Sequence, residues 1–231
     1  MVARVSRKFS VSPLTRGHRW DRVACRARSA GDADEDPEMS EKDPFERFQR
    51  VFADAWKAGV KNAHAMTLST VDAAGQPSSR QVLLKHVDDR GFVFYTNYES
   101  SKGREIAANP RVSLNFYWRE LDKQVTIRGT AEPVSDEEAD EYFESRDRDS
   151  RLGAWASQQS RPLTSRAHLV AEVAKVDARY PTEAIPRPPH WSGFRVVPAA
   201  FDFWIAGQAR LHDREVYERE GDGWRKYRLY P

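Results

Sequence analysis

Hydrophobic residues first recur along this chain at the period of an α-helix. Asp43 and Pro44 are typical of an N-cap and of the first helical position. The apolar residues that follow at helical spacing are Phe45, Phe48, Phe52, Ala55 and Trp56. The pattern predicts an amphipathic helix that ends near Gly59.

From residue 63 to residue 134 the pattern changes to short alternating or apolar runs, which is typical of strands. The five predicted strands are Ala65–Thr70, Gln81–His86, Phe92–Thr96, Val112–Trp118 and Gln124–Thr130. Turn residues around Gly75 and Gly91 favour hairpins, and therefore an antiparallel sheet. A closed or nearly closed barrel would protect the edges of that sheet.

Helices and further strands complete the pattern, and together they predict a β-rich α+β domain with peripheral helices. The predicted helices begin at Ser100 or Ser101 and end before Pro110, run from the capping box of Ser135 and Glu138 to about Arg146, and run from Thr164 to about Tyr180. The proline-rich residues 181–189 predict a stiff surface connector. The last strand-like runs are Gly193–Val197, Phe201–Trp204, Glu215–Arg219 and Trp224–Leu229.

The first 42 residues lack apolar periodicity. Residues 1–28 are rich in arginine and contain a single acid, Asp21, and an acidic run follows over residues 32–43. We expect residues 1–42 to be a disordered extension and residues 43–231 to form one domain. An arginine-rich, acid-poor start is also typical of an organelle transit peptide, and that alternative stays open.

Composition excludes several classes of protein. The 231 residues carry a formal net charge of +2, which calls for neither nucleic acid nor an anionic membrane as a partner. The single cysteine, Cys25, can form neither an internal disulfide nor a multi-cysteine metal site. No run approaches the roughly 18 apolar residues of a membrane span. We therefore expect a cytoplasmic protein.

Two segments contain cations at positions suited to a phosphorylated ligand. The predicted strand alternates, with Arg80, Val82 and Leu84 on one face and Gln81, Leu83 and Lys85 on the other. Lys102 falls in the first turn of the short predicted helix, where free backbone N–H groups attract anions. Both patterns are also typical of a packed strand and of a simple helix cap.

Two further sets repeat polar and cationic side chains at regular spacing. One set steps by four residues and consists of Tyr142, Arg146 and Ser150. If the helix continues that far, the three share a face and suit a phosphate group. The other set alternates along a segment predicted to be extended and consists of Arg210, His212 and Arg214. An anionic, planar ligand would offset the repulsion within this set, although exposed charged faces are equally typical of such spacing.

Taken together, these segments resemble the pyridoxine/pyridoxamine 5′-phosphate oxidase family. The stretches that occur in family order are Arg80–Lys85, Phe94–Asn97, Asn109–Ser113, Tyr142–Arg146, Gly153–Trp155 and Arg210–Arg214. The resemblance covers residues 43–231 and implies an antiparallel split β-barrel, with FMN bound between the subunits of a homodimer. It also implies oxidation of pyridoxine or pyridoxamine 5′-phosphate to pyridoxal 5′-phosphate, with hydride transfer to FMN, reoxidation by O₂ to H₂O₂, and no metal.

The resemblance also implies roles for individual residues. FMN would be held by Arg80, Gln81, Val82, Leu83, Leu84, Lys85, Tyr95, Thr96, Lys102 and Gln124, with Gln159, Ser160, Trp204 and Arg214 completing the site across the dimer. The substrate phosphate would contact Lys85, Tyr142, Arg146 and Ser150. Arg210 and His212 would lie over the pyridine ring as catalytic residues, with Leu211 between them in the substrate site.

Some residues depart from the family pattern. Ser101 stands where the family commonly has arginine, which predicts weaker retention of FMN. The stretch Phe203–Gly207, with Ile205 and Ala206 after the tryptophan, departs from the usual Trp-Gln-Gly pattern. Residues 1–42 contain no clear match to the segment that closes over the substrate in some members.

Two other functions stay open from the sequence. One is a related flavin oxidase that acts on another ring, as in phenazine biosynthesis, and the phosphate-binding set argues against it. The other is a non-catalytic protein that stores flavin or pyridoxal phosphate, which Arg210 and His212 argue against.

Overall fold

The computed structural model describes residues 43–231. The predictions made for residues 1–42 lie outside the described residues. The helices in the described range are α1 (Pro44–Lys57), α2 (Ser101–Ala108), α3 (Asp136–Glu144), α4 (Arg148–Ala156) and α5 (Arg166–Arg179). The strands are β1 (Ala65–Val71), β2 (Pro77–Leu83), β3 (His86–Asp88), β4 (Gly91–Asn97), β5 (Arg111–Trp118), β6 (Lys123–Pro133), β7 (Trp191–Ile205), β8 (Asp213–Glu220) and β9 (Gly223–Arg228).

These strands form one curled antiparallel sheet in the order β2-β1-β5-β6-β7-β4-β3, and β8 and β9 continue from β7. The long strand β7 connects β4 with the β8–β9 hairpin, because its residues 191–196 pair with β4 and its residues 200–205 pair with β8. The pairing of β6 with β7 shifts between Arg128 and Gly129, and such a bulge bends a strand and increases its twist. The predicted antiparallel split barrel with peripheral helices is confirmed.

Helix α1 covers the inner face of the sheet as its apolar spacing predicts. Phe48 is fully buried, and its ring centre lies 4.8 Å from that of Phe92 and 5.1 Å from that of Phe116. Burial of one such side chain contributes about 1.5–3 kcal/mol. The predicted N-cap is also confirmed, since the Asp43 carboxylate accepts a 2.8 Å hydrogen bond from the backbone N–H of Phe45.

A buried ion pair ties α1 to the C-terminal part of the sheet. Arg47 in α1 donates a hydrogen bond to Glu215 in β8, and its guanidinium lies 4.4 Å from the ring centre of Phe203. Burial alone would raise the pKa of Glu215, but the hydrogen bond and charge of Arg47, with Lys226, hold that pKa below its ordinary value. The ion pair therefore joins the first helix of the domain to β8.

Three element boundaries differ from prediction. The predicted strand Gln81–His86 is broken because the N–H of Leu84 donates to His64 while that of Lys85 donates to Val93, so the chain passes from the β1 edge to β4. The two runs predicted within residues 193–204 are one strand, β7, because the bulge accommodates Pro198. Helix α5 begins at Arg166 and its N-cap is Ser165 rather than Thr164.

The capping box at Ser135 and the proline-rich connector are as predicted. Among the described residues, no helix has both the length and the apolar character needed to cross a membrane.

Candidate active site

Three stacked aromatic rings lie beside two cations where β4, α3 and β7 meet. The ring centres of Tyr95 and Tyr142 are 4.0 Å apart, and those of Tyr95 and Trp191 are 5.4 Å apart. The Nζ atom of Lys85 is 5.7 Å from the Tyr142 ring centre, and the guanidinium carbon of Arg146 is 4.7 Å from that of Trp191. The structure therefore brings together three of the predicted phosphate ligands, and we call this group with Trp191 the Arg146 cluster.

The cations of the Arg146 cluster are partly desolvated. The Nη1 atom of Arg146 is buried and has no hydrogen-bond partner among the described residues. Burial is the largest cause of the lowered pKa of Arg146. A buried guanidinium nitrogen without a partner is costly, and an anionic oxygen would satisfy it.

Ser150 does not share a helical face with Tyr142 and Arg146, so that prediction is wrong. Helix α3 ends at Glu144, and Asp147 caps a separate helix, α4. The Asp147 carboxylate accepts the backbone N–H of Ser150 at 2.7 Å and its hydroxyl at 2.8 Å. The local cap therefore outcompetes continuation of the helix, and a role for Ser150 in phosphate binding stays a prediction.

A second group surrounds the buried Lys102 at the start of α2. Its Nζ donates to Gln159 Oε1 at 2.7 Å and to Ser100 Oγ at 3.3 Å. The hydroxyl of Thr96 lies 3.4 Å from the same Gln159 oxygen. Burial and the nearby charge of Arg80 lower the pKa of Lys102 to about 8. We call Thr96, Lys102 and Gln159 the Lys102 cluster. Gln159 contacts Lys102 of its own chain, whereas we expected Gln159 to complete the FMN site of the other subunit.

Arg80 is close to Lys102 but has a carboxylate partner that the sequence reasoning missed. Its guanidinium lies 2.8 Å from Glu105, which also accepts hydrogen bonds from the hydroxyls of Ser78 and Thr70. Burial alone would raise the pKa of Glu105, but these three donors hold it below its ordinary value. The signal available in the sequence was the position of Glu105 one helical turn after Ser101.

The other predicted cofactor residues lie on β2, on β6 and after α4. The predicted alternation is confirmed from Arg80 to Leu83, with Gln81 and Leu83 exposed and Arg80 and Val82 partly buried. It does not continue to Lys85, because β2 ends at Leu83. Gln81 and Gln124 line an open cavity of about 440 Å³ on the outer face of the sheet. Ser160 adopts a left-handed backbone conformation, with φ of 70°, directly after Gln159.

A third group lies where β7 meets β8. The ring centres of Trp204 and His212 are 4.7 Å apart, and Arg214 forms a 2.6 Å ion pair with Asp202. We call Trp204, His212 and Arg214 the Trp204 cluster. The structure thus satisfies Arg214 with a neighbouring carboxylate.

Arg210 does not lie in an extended segment, so the predicted alternation of Arg210 with His212 and Arg214 is wrong. Residues Gln208–Arg210 form a 3-10 turn, in which Ala209 and Arg210 have φ of 53° and 65°. Only Asp213 and later residues enter β8. Arg210 and Leu211 are both exposed on this turn.

The Lys102 cluster and the Trp204 cluster lie at opposite ends of β7. Thr96 pairs with Ser192, whereas Gln124 and Arg214 both pair with Trp204, twelve residues further along the strand. At about 3.3 Å per residue this is a strand path of about 40 Å. One chain therefore holds two separate groups of the predicted site residues.

Comparison with known proteins matches two regions of the chain to family models. Residues 52–180 match the family model described as pyridoxamine 5′-phosphate oxidase. The chain belongs to the pyridoxamine 5′-phosphate oxidase family. Residues 191–231 match a second model of the family, described as the pyridoxine 5′-phosphate oxidase C-terminal dimerisation region. In this family member the Arg146 cluster and the Lys102 cluster fall almost wholly in the first region, and the Trp204 cluster falls in the dimerisation region.

The sequences of close relatives align with most of this chain. The chain is 54% identical over 193 residues to the pyridoxine/pyridoxamine 5′-phosphate oxidase of Myxococcus xanthus (strain DK1622), covering 84% of this chain and 94% of the relative. It is 52% identical over 192 residues to the protein of the same name from Rubrobacter xylanophilus, covering 83% and 88%. Among solved structures, PhzG from Burkholderia lata 383 in complex with tetrahydrophenazine-1-carboxylic acid is 35% identical with a TM-score of 0.80, covering 86% and 98%.

Proposed function

We propose that this protein is an FMN-dependent oxidase that converts pyridoxine 5′-phosphate or pyridoxamine 5′-phosphate to pyridoxal 5′-phosphate. The observation that carries the proposal is the buried Nη1 of Arg146, which has no hydrogen-bond partner within residues 43–231 and lies in the cluster that also contains Lys85 and Tyr142. A phosphate monoester supplies the anionic oxygens that such a group of cations requires. Relatives more than 50% identical that carry the oxidase name support the same substrate class.

The Lys102 cluster fits the phosphate of FMN. Lys102 is a desolvated cation close to a second cation, Arg80, and an anion would relieve both the burial and the repulsion. The backbone N–H groups at the start of α2, after the Ser100 cap, add donors of the kind that bind phosphate. FMN held there would supply the acceptor for a hydride from C4′ of the substrate, with O₂ taking the two electrons onward to give H₂O₂.

The side chains of the protein bind and orient the substrate for this oxidation. The Arg146 cluster holds the substrate by its phosphate, which fixes the position of the C4′ carbon on the neighbouring ring atom. Misplacement of reacting atoms by about 1 Å can cost on the order of a hundredfold in rate. The oxidation removes a hydride from C4′ and a proton from its oxygen or nitrogen, and water hydrolyses the imine of the amine substrate to release ammonia.

The complete site requires two copies of the chain in this proposal. The Trp204 cluster with Arg210 is far along β7 from the Lys102 cluster of its own chain. The match of residues 191–231 to a dimerisation region supports a homodimer in which each copy supplies Arg210 and His212 to its partner's FMN and substrate.

The test is turnover by the purified full-length protein with excess FMN, which compensates for the serine at position 101. Pyridoxine 5′-phosphate should yield equal amounts of 4′-aldehyde and peroxide. Arg146→Ala and Arg210→Ala should each abolish most of this turnover. The matched control is Arg179→Ala, which removes another arginine stacked on an aromatic ring, that of Trp155 at 5.5 Å. Absence of turnover in protein that retains FMN would contradict the proposal.

A phenazine-type oxidation is the second candidate, because PhzG has the same fold at 35% identity. The Arg146 cluster should favour the vitamin B6 substrate, because a phosphate monoester carries more negative charge than the single ring-bound carboxylate of tetrahydrophenazine-1-carboxylic acid. We expect tetrahydrophenazine-1-carboxylic acid to be turned over much more slowly than pyridoxine 5′-phosphate. The reverse order would establish the phenazine-type function.

A further inference from the structure

The turn that leads into β8 fixes the protonation pattern of the His212 ring. The backbone N–H of Gly207 lies 3.1 Å from Nδ1 of His212. A backbone N–H can only donate, so Nδ1 must be the acceptor and carry no proton. The neutral imidazole therefore carries its proton on Nε2.

The same turn leaves the ring little freedom to move. The N–H of Leu211 donates to the carbonyl of Gln208 at 3.0 Å, which closes the turn. A Cβ at Gly207 would lie only 1.9 Å from the Leu211 carbonyl oxygen, so this close approach requires glycine. On its other side the His212 ring packs against Trp204.

Two residues of the turn adopt conformations that their side chains disfavour. Ala209 and Arg210 are both left-handed, and such residues persist only where the surrounding structure stabilises them. The chain turns through this pair, and His212 lies within hydrogen-bond distance of Gly207.

We propose that Gly207 is a positioning residue, whose backbone N–H holds His212 as an Nε2–H donor toward the substrate. This inference rests on the proposed function, because it takes His212 to face a vitamin B6 phosphate. The complementary group on the substrate is a hydrogen-bond acceptor, which the oxygen attached to C3 of the pyridine ring and the C4′ heteroatom both provide. With Nε2 protonated and Nδ1 occupied, His212 is a hydrogen-bond donor and not the base that accepts the substrate proton.

The first experiment reads the tautomer directly and does not depend on turnover. Full-length, FMN-loaded protein labelled with ¹⁵N in its six histidines is observed by long-range ¹H–¹⁵N NMR. The signal lost in His212→Gln identifies His212. We expect an unprotonated Nδ1 and a protonated Nε2. A protonated Nδ1, or two averaged nitrogens, overturns the inference whether or not the protein is an oxidase.

A pair of substitutions at His212 tests which ring nitrogen donates a hydrogen bond to the substrate. The amide of glutamine reaches about where Nε2 lies, whereas that of asparagine reaches about where Nδ1 lies. We expect His212→Gln to retain kcat within about tenfold and His212→Asn to lose about a hundredfold, the range for one donor to a reacting ligand. Equal losses of kcat in the two variants, or a smaller loss in His212→Asn than in His212→Gln, overturn the inference. Absence of turnover in the unsubstituted protein instead contradicts the proposed function.

The last experiment tests Gly207 itself. Gly207→Ala must displace the Leu211 carbonyl, so it should lower kcat about tenfold or more and release the fixed tautomer of His212. The matched control is Gly221→Ala, in the turn between β8 and β9, where φ is 56° and a Cβ meets nothing within 4 Å. The control should keep both kcat and the tautomer. A Gly207→Ala protein that keeps the fixed tautomer overturns the inference, and if that variant does not fold, the tautomer of the unsubstituted protein decides.

Discussion

The guanidinium of Arg146 is stacked 4.7 Å from the ring centre of Trp191, while its buried Nη1 has no hydrogen-bond partner among the described residues. The ring stabilises the cation without neutralising it, because a cation above an aromatic face is attracted to the ring but keeps its net charge. A carboxylate in the place of Trp191 would compete with a phosphate for Arg146. The stack therefore orients Arg146 and leaves its charge available to a ligand.

We expect Arg146→Lys to raise the KM for pyridoxine 5′-phosphate about tenfold, and Arg146→Ala about a hundredfold, since a charge-assisted hydrogen bond contributes about 1.5–3 kcal/mol. Lysine keeps the charge but loses the planar stack on Trp191. Steady-state kinetics at saturating FMN measure both effects. A KM for Arg146→Ala equal to that of Arg179→Ala would show that the Arg146 cluster does not bind the phosphate.

The affinity for FMN should depend on pH through Lys102. Its pKa is lowered to about 8, first by burial and then by Arg80, so the free protein loses this charge as the pH rises through 8. Because a phosphate binds the protonated form more tightly, the Kd for FMN should rise about tenfold between pH 7 and pH 9. Quenching of flavin fluorescence on titration of the apoprotein measures the Kd.

Two substitutions at position 102 provide the controls for this pH dependence. Lys102→Arg should flatten the rise, because arginine stays protonated throughout this range. Lys102→Met should bind FMN more weakly at pH 7 and also show no rise. An unchanged pH dependence in Lys102→Met would assign the titration to another group.

Local patterns in the sequence predicted the elements well, because their causes lie within a few residues. The N-cap at Asp43 and the capping box at Ser135 satisfy backbone groups of their own helices, and both are confirmed. The alternation along β2 follows from one buried face, and it too is confirmed. Hairpin turns between such strands were enough to predict an antiparallel sheet.

Features that depend on competing or distant contacts were not predicted. Helix α3 ends at Glu144, and Asp147 caps a new helix that contains Ser150. The four-residue spacing of Tyr142, Arg146 and Ser150 does not show that one helix ends and another begins between them. The turn at Arg210 depends on the close approach of Gly207 to Leu211, which alternation cannot show. Glu105 meets Arg80 only because α2 packs against β1, which pairs with β2, so this partner of a predicted cofactor residue was missed.

The buried pair of Arg47 and Glu215 should make stability depend on acid pH. Glu215→Gln leaves the buried Arg47 charge without its carboxylate partner, which should lower the free energy of unfolding by about 3 kcal/mol at pH 7. The folded state lowers the pKa of Glu215 below its ordinary 4.5, so the carboxylate stabilises the protein fully above that value. This contribution, and with it the difference between the two proteins, should disappear as the pH falls through the lowered pKa.

Urea unfolding at pH 7 and at several values below 4.5 measures this difference. The control is Glu218→Gln, which removes an exposed carboxylate on the same strand, paired with Arg225 at 2.6 Å. Its unfolding midpoint should match that of the unsubstituted protein at both ends of the range. A loss in Glu215→Gln that persists undiminished at low pH would mean that packing, and not the charge of Glu215, causes the effect.

Mixed dimers should show that each site is built from two chains. In the proposed dimer, Arg146→Ala removes a group from one half of a site and Arg210→Ala removes a group from the other half. Each variant alone should lose most of its activity, but a dimer containing one of each has one site with both defects and one site with neither. Random reassembly of equal amounts makes half of the dimers mixed, so about a quarter of the unsubstituted activity should return. A site contained within one chain would carry a defect in every copy, and the mixture would then stay inactive.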